Sequence, residues 1–290
     1  MNKIFMAAAA VLMLASCCCN DCPKGYGDNF GVQLYSVRSL IGNPEKYAEN
    51  GATVLKQLAE MGYKSVEPAC YDAGKLYGRT GEEFKADVEA AGMTVLSSHV
   101  GHRISEAEIE SGDFSESLAW WDECIACHKA AGCKYLVMPS MPKTPTLAEL
   151  KVYCDYYNAI GKKCAENGIK FGYHSHSFEF NKIEDQVMYD FLLENTDPEL
   201  VFFQMDVYWA VYGRVSPVEY FKKYPGRFLC LHIKDHYEVG ASGMVGFDAI
   251  FKNIDIAGTQ DFVVEMEGSS VGDIMETCRQ SINYLLGNEE

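Results

Sequence analysis

One unit recurs eight times along this chain: a short apolar run that reads as a β-strand, then a capped segment with helical spacing. The runs are Gly31–Ser36, Tyr63–Pro68, Thr94–His99, Lys134–Met138, Ile169–His174, Leu200–Asp206, Arg227–Ile233 and Asp261–Glu265. The helical segments carry their own punctuation. Asn43-Pro44 supplies an N-cap with proline at the first helical position. Thr80–Glu83, Thr146–Glu149 and Ser216–Glu219 have the spacing of capping boxes. Gly62, Gly92, Gly132, Gly168 and Gly258 fall where helices should stop. Strands that are apolar almost throughout suit a parallel sheet covered on its outside. Eight strands alternating with eight helices predict a single-domain α/β fold, a (β/α)8 barrel over residues 30–287. A doubly wound open sheet is the alternative, and the lack of any GxGxxG turn weighs against it.

The first residues concern address. Lys3 precedes a short apolar run, Ile4–Ala15, too short to span a bilayer and typical of a signal peptide. Leu14-Ala15-Ser16-Cys17 resembles the lipobox of bacterial lipoproteins, which implies a signal peptide over 1–16 and a lipid on Cys17. Residues 17–29 read as a polar tether. An exported protein, facing periplasm or cell surface and touching the membrane only through this anchor, is the expectation. The formal net charge of −16 offers no basic face, so a nucleic-acid partner is not expected. Cys124 and Cys127 have CxxC spacing, but they sit inside a helical run with no second such pair and read as core thiols.

In a (β/α)8 barrel, residues at the C-terminal ends of the strands face the site. Here those ends are polar: Gln33 and Tyr35, Glu67, His99, His174 and His176, Gln204 and Asp206, His232 and Lys234, Glu265 and Glu267. Residues two apart on a strand share a face. Buried charges need partners, and a divalent cation serves imidazoles and carboxylates together. Such a ligand mixture suits Mn²⁺, Zn²⁺, Fe²⁺ or Co²⁺ better than Ca²⁺.

The chain resembles the xylose-isomerase-like TIM barrels, a superfamily that includes sugar phosphate isomerase/epimerases, ketose 3-epimerases, inosose dehydratases and endonuclease IV. The resemblance rests on Gly31-Val-Gln-Leu-Tyr-Ser-Val-Arg38, Gly62–Glu67, Gly168–Phe180 with its His174-Ser-His176, Met205-Asp206, Leu231-His232-Ile-Lys-Asp235 and Val263-Val-Glu265. It implies one divalent metal, Mn²⁺ or Zn²⁺, held by His174, Asp206, His232 and Glu265. Epimerases of this kind carry a glutamate where His174 stands, and use two glutamates as acid and base on opposite faces of the sugar. Here Glu265 remains as one base, and its partner is to be sought among His176, Glu67, His99 and Lys234.

The resemblance implies proton abstraction next to a carbonyl, through an enediolate, on a small carbohydrate. A metal-dependent sugar isomerase or epimerase is the leading expectation. A lyase or hydratase acting on 3-keto-sugars or 3-keto-glycosides is the alternative, and a non-catalytic sugar-binding lipoprotein is a third. His99, Trp209, Gln33 and Tyr35 are expected to contact the sugar.

Overall fold

The computed structural model describes residues 25–288. Cys17 and the expected signal peptide therefore lie outside the described residues. Eight parallel strand positions form the barrel: β1 Phe30–Gln33, β2 Ser65–Glu67, β3 in two pieces (Thr94–Val95 and Ser97–His99), β4 Tyr135–Met138, β5 Lys170–His174, β6 Val201–Asp206, β7 Cys230–Lys234 and β8 Asp261–Glu265. The ring closes through β3. Its first piece pairs with β2 and its second with β4. Leu96, between them, donates its N–H to Val66 O at 3.0 Å and accepts Lys134 N at 2.8 Å.

The principal helix after each strand lies outside the ring: α1 Pro44–Met61, α2 Gly81–Ala90, α3 Ser115–Ala131, α4 Leu147–Glu166, α5 Met188–Asn195, α6 Pro217–Lys223, α7 Phe247–Phe251 and α8 Ile274–Leu286. Asn43 Oδ1 accepts from Lys46 N at 2.9 Å and starts α1. Thr80–Glu83 and Thr146–Glu149 form complete capping boxes. At Ser216–Glu219 only half the box forms, because the Glu219 carboxylate takes Lys222 Nζ at 2.8 Å instead. The helix expected over 247–256 is broken at Lys252–Asn253 and resumes as Ile254–Ala257.

Alternation along the strands sorts the interior into layers. Tyr135, Val137, Phe202, Cys230 and Val263 make a separate apolar cluster, the lower filling of the barrel. Gly172 is required here. A Cβ on it would lie 2.5 Å from the Phe202 ring. Below, Tyr135 Oη and Lys134 Nζ both donate to Asp261 Oδ2, at 2.6 and 2.7 Å. Above the apolar layer, the inward side chains turn polar.

All eight cysteines among the described residues are free thiols, and Cys124 and Cys127 are buried in α3. The end of the expected tether is not loose. Tyr26 stacks on Phe251 at 4.4 Å and its hydroxyl donates to Asp248 Oδ1 at 2.7 Å.

Candidate metal centre and its cavity

β5, β6, β7 and β8 bring His174, Asp206, His232 and Glu265 together, one donor atom from each lying within 4.8 Å of the others. All four are buried. Strand register sets this up: Asp206 lies beside His232 and Gln204 beside His174. His232 Nδ1 is 3.5 Å from Glu265 Oε2 and 3.9 Å from Asp206 Oδ2. Donors about 2.1 Å from a shared cation lie ~3.0–3.4 Å apart at right or tetrahedral angles, and ~4.2 Å apart when opposite. The two His232 separations, 3.5 and 3.9 Å, lie between these limits.

Hydrogen bonding supplies the fit test. His232 Nδ1 and Asp206 Oδ2 are buried with no hydrogen-bond partner, an expensive condition unless something else satisfies them. Each residue's other atom is anchored. Asp206 Oδ1 accepts from Trp209 N at 2.9 Å, capping the short helix Val207–Tyr212. His232 Nε2 hydrogen-bonds to Glu67 Oε1 at 2.7 Å. His174 Nδ1 hydrogen-bonds to Gln204 Oε1 at 3.1 Å, which leaves its Nε2 as the acceptor. Imidazoles held by one nitrogen with the other aimed at a common point, a carboxylate behind one of them, are the usual outer support of a metal ligand set. The residues present fit a divalent cation such as Zn²⁺ or Mn²⁺.

Glu67 was expected as a proton-transfer group. The structure places it beneath the quartet, fully buried, with both oxygens occupied. Gln33 Nε2 donates to it at 2.7 Å, Gln204 Nε2 at 2.9 Å, and Ser97 Oγ also donates. Gln33, expected on the sugar-facing wall, is thereby spent on Glu67 and does not line the cavity. His99 Nε2 contacts Gln204 Oε1 at 2.8 Å and Glu67 Oε1 at 3.1 Å. One carboxylate and one amide thus fix three imidazoles.

Ionisation follows from these contacts. Burial alone would raise the Glu67 carboxyl, but His99, His232 and its hydrogen bonds hold it down. Burial disfavours a charged His232, yet Glu67 and Glu265 outweigh it and push the ring well above the usual imidazole range. A cation entering the quartet must displace that proton. Burial lowers His174 and His99, and lowers His176 to about 4. Burial raises Asp206 to about 7. Glu265 is buried too, but His232 and Lys234 bring it down to about 2, so it is held as the carboxylate.

A cavity of about 460 Å³ opens above, lined by His99, His174, His176, Glu265, Tyr35 and an aromatic patch from Tyr71 and Trp120. His176 stands edge-on to His174 at 4.9 Å, and its Nδ1 has no partner. Trp209, expected on the wall, packs 5.9 Å behind His176 and is not among the lining residues. Lys234 is buried off the cavity, with Nζ 2.9 Å from Glu267 Oε2 and 3.8 Å from Glu265 Oε2. Tyr71 and Trp120 carried no sequence signal, since one lies in a small hairpin after β2 and the other on α3.

A family model described as "Xylose isomerase-like TIM barrel" matches residues 55–286. The chain is 26% identical over 198 residues to an inosose dehydratase of Geobacillus kaustophilus (strain HTA426), a match covering 63% of this chain and 61% of that relative. The chain thus spans about three fifths of that curated relative's length. A crystal structure described as a sugar phosphate isomerase/epimerase from Parabacteroides distasonis ATCC 8503 superposes with a TM-score of 0.80 at 31% identity, covering 90% of this chain and 94% of the other. At 14% identity and a TM-score of 0.64, the fold is shared with a structure described as IOLI protein with a binding zinc atom, covering 88% of this chain and 96% of that one.

Proposed function

This chain belongs to the xylose isomerase-like TIM barrel family, and on that premise we propose that it is a metal-dependent lyase acting on a sugar that carries a carbonyl, with Glu265 as the single base. One observation carries the reading. Glu265 is the only carboxylate that both belongs to the quartet and lines the cavity. The β5 position holds His174, whose Nδ1 is committed to Gln204 and whose other nitrogen is used as a ligand. Such a ring is a poor proton carrier, and among the described residues no second carboxylate of the quartet faces the cavity.

Bound in the quartet, a divalent cation, Zn²⁺ or Mn²⁺, supplies positive charge to stabilise negative charge developing on the substrate's carbonyl oxygen. Glu265 takes the proton from the carbon next to the carbonyl. The electron pair released forms a carbon–carbon double bond as the neighbouring hydroxyl leaves. Glu265 then gives its proton to that hydroxyl, and the sum is loss of water from one face. Glu67, through His232, and Gln204, through His174 and His99, hold the imidazoles in place. His176 presents an uncharged ring beside the reacting carbon.

The resemblance to an inosose dehydratase supports elimination. A second reading shares the same first step. Glu265 could return the proton to the carbonyl carbon while the neighbouring hydroxyl's proton passes to the former carbonyl oxygen, giving an isomer, and the structural relative described as an isomerase/epimerase favours it. Two-base epimerisation is the reading that His174 disfavours. On the N-terminal sequence alone, we place the enzyme outside the cytoplasm on a lipid anchor. The test is to incubate metal-loaded protein with keto-sugars in D₂O and follow products by NMR. The proposal expects an unsaturated or dehydrated product, lost in Glu265→Gln. Deuterium returned only to the opposite face, giving an epimer, would sink the single-base account.

A further inference from the structure

The cavity is larger than the reaction needs, and its outer half has a distinct character. At about 30 Å³ per liquid water, its ~460 Å³ corresponds to on the order of 15 waters. That is more than one sugar ring fills, and the cavity stays open on its outer side, so a second unit can extend outward from the first. Beyond the quartet the wall is built from Tyr71, Trp120, Val100 and Pro139. Trp120 meets Tyr71 edge-on at 5.5 Å and is backed by His102, stacked at 4.7 Å. Braced aromatic faces of this kind bury the apolar side of a sugar ring or an aryl group at little cost in side-chain entropy.

The cavity is also unfit for phosphate. In (β/α)8 barrels phosphate commonly binds where the loops after strands seven and eight meet a helix N-terminus. Here carboxylates of the chain already take the amides there. Asp235 accepts from His236 N at 2.8 Å, Gly240 N at 3.2 Å and Ser242 N at 3.3 Å. Glu238 accepts from Ser270 N at 3.0 Å. Asp273 accepts from Met275 N at 2.9 Å, capping α8. No Lys or Arg is among the described residues that line the cavity, whereas Glu265 and Glu267 are. Arg38, near the rim, donates to Tyr35 O at 2.8 Å and Glu267 O at 3.1 Å. A phosphate dianion would meet like charge and few free donors.

We infer that the cavity takes an uncharged two-unit sugar, a glycoside or disaccharide, with the reacting ring at the quartet and the appended unit on the Tyr71–Trp120 wall, and that it discriminates against phosphorylated sugars. The placement of the reacting ring rests on the function proposed above; the aromatic subsite and the missing phosphate subsite do not.

Calorimetry on Zn²⁺-loaded protein tests this without turnover. The probes are glucose, glucose 6-phosphate, cellobiose, maltose and 4-nitrophenyl α- and β-D-glucopyranoside. At least one two-unit probe should bind about tenfold tighter than glucose, the scale of one buried aromatic face, and glucose 6-phosphate no tighter than glucose. Trp120→Ala should abolish the two-unit preference while metal content and glucose binding persist. Trp120→Leu, which keeps an apolar helix position, serves if the alanine variant does not fold. Tighter binding of glucose 6-phosphate than glucose, no preference for any two-unit probe, or a preference untouched by the Trp120 variants overturns the inference. Because binding is read directly, a failure to exchange protons would sink the reaction alone.

Discussion

Replacing Glu67 by Gln separates two roles that a carboxylate at the end of β2 could have. Glu67 Oε1 faces Gln33 Nε2, His232 Nε2 and His99 Nε2, and Oε2 faces Gln204 Nε2 and Ser97 Oγ. Whichever way the new amide turns, its NH₂ points at groups that also donate. Ser97 can rotate to accept; Gln33, Gln204 and the two imidazoles are held by the rest of the network. Each buried donor left unpaired costs about 1–3 kcal/mol, so two of them cost ~2–6 kcal/mol. His232 also loses the charge that orients it, and loss of such a supporting contact typically weakens metal binding about 10–100-fold. The assays are competitive chelator titration with Zn²⁺ and thermal unfolding of the metal-free protein. Glu67→Gln should lower both metal affinity and stability. Wild-type metal affinity and melting temperature with turnover abolished would refute this and restore Glu67 as a proton-transfer residue.

Metal affinity should rise between about pH 6 and about pH 9, because Asp206 and His232 both have raised pKa values in the metal-free protein and protons compete for them at lower pH. Calorimetry in buffers of different ionisation enthalpy should show proton release, and a pH-independent affinity would contradict the assignment. Gln204→Leu removes the partner of His174 Nδ1 and a donor to Glu67; it should destabilise the protein by about 2–5 kcal/mol in denaturant unfolding, and an unchanged midpoint would show the network to be dispensable. Gly172→Ala forces a methyl into the Phe202 ring, costing about 1–3 kcal/mol. Adding Phe202→Leu should recover part of that loss, and strictly additive losses would argue against the clash.

Much of this architecture was legible in the sequence because helix signals and barrel geometry are local rules. Asn43-Pro44 and the boxes at Thr80 and Thr146 form as read; the strand-end rule put His174, Asp206, His232 and Glu265 among its polar candidates, and the family resemblance singled them out. The rule says which face a residue occupies but not how deep it lies. Glu67 and Gln33 point inward as expected, yet they sit in the layer below the cavity, where the inward network consumes them. Trp209, three residues past Asp206, begins a helix instead of extending a wall, and its contribution is a backbone N–H to Asp206. Tyr71 and Trp120 reach the cavity through a hairpin and the first turns of α3, which no period announces. Tyr26 belongs to the barrel because Asp248 and Phe251, over two hundred residues away, receive it.

The central claim is that His174, Asp206, His232 and Glu265 hold a divalent cation. Anomalous diffraction from crystals of the protein loaded with Zn²⁺ addresses it directly. The account predicts one strong peak within bonding distance of His232 Nδ1, Asp206 Oδ2, His174 Nε2 and the Glu265 carboxylate. A loaded crystal whose zinc peak lies elsewhere, or that shows none between these four residues, would contradict it.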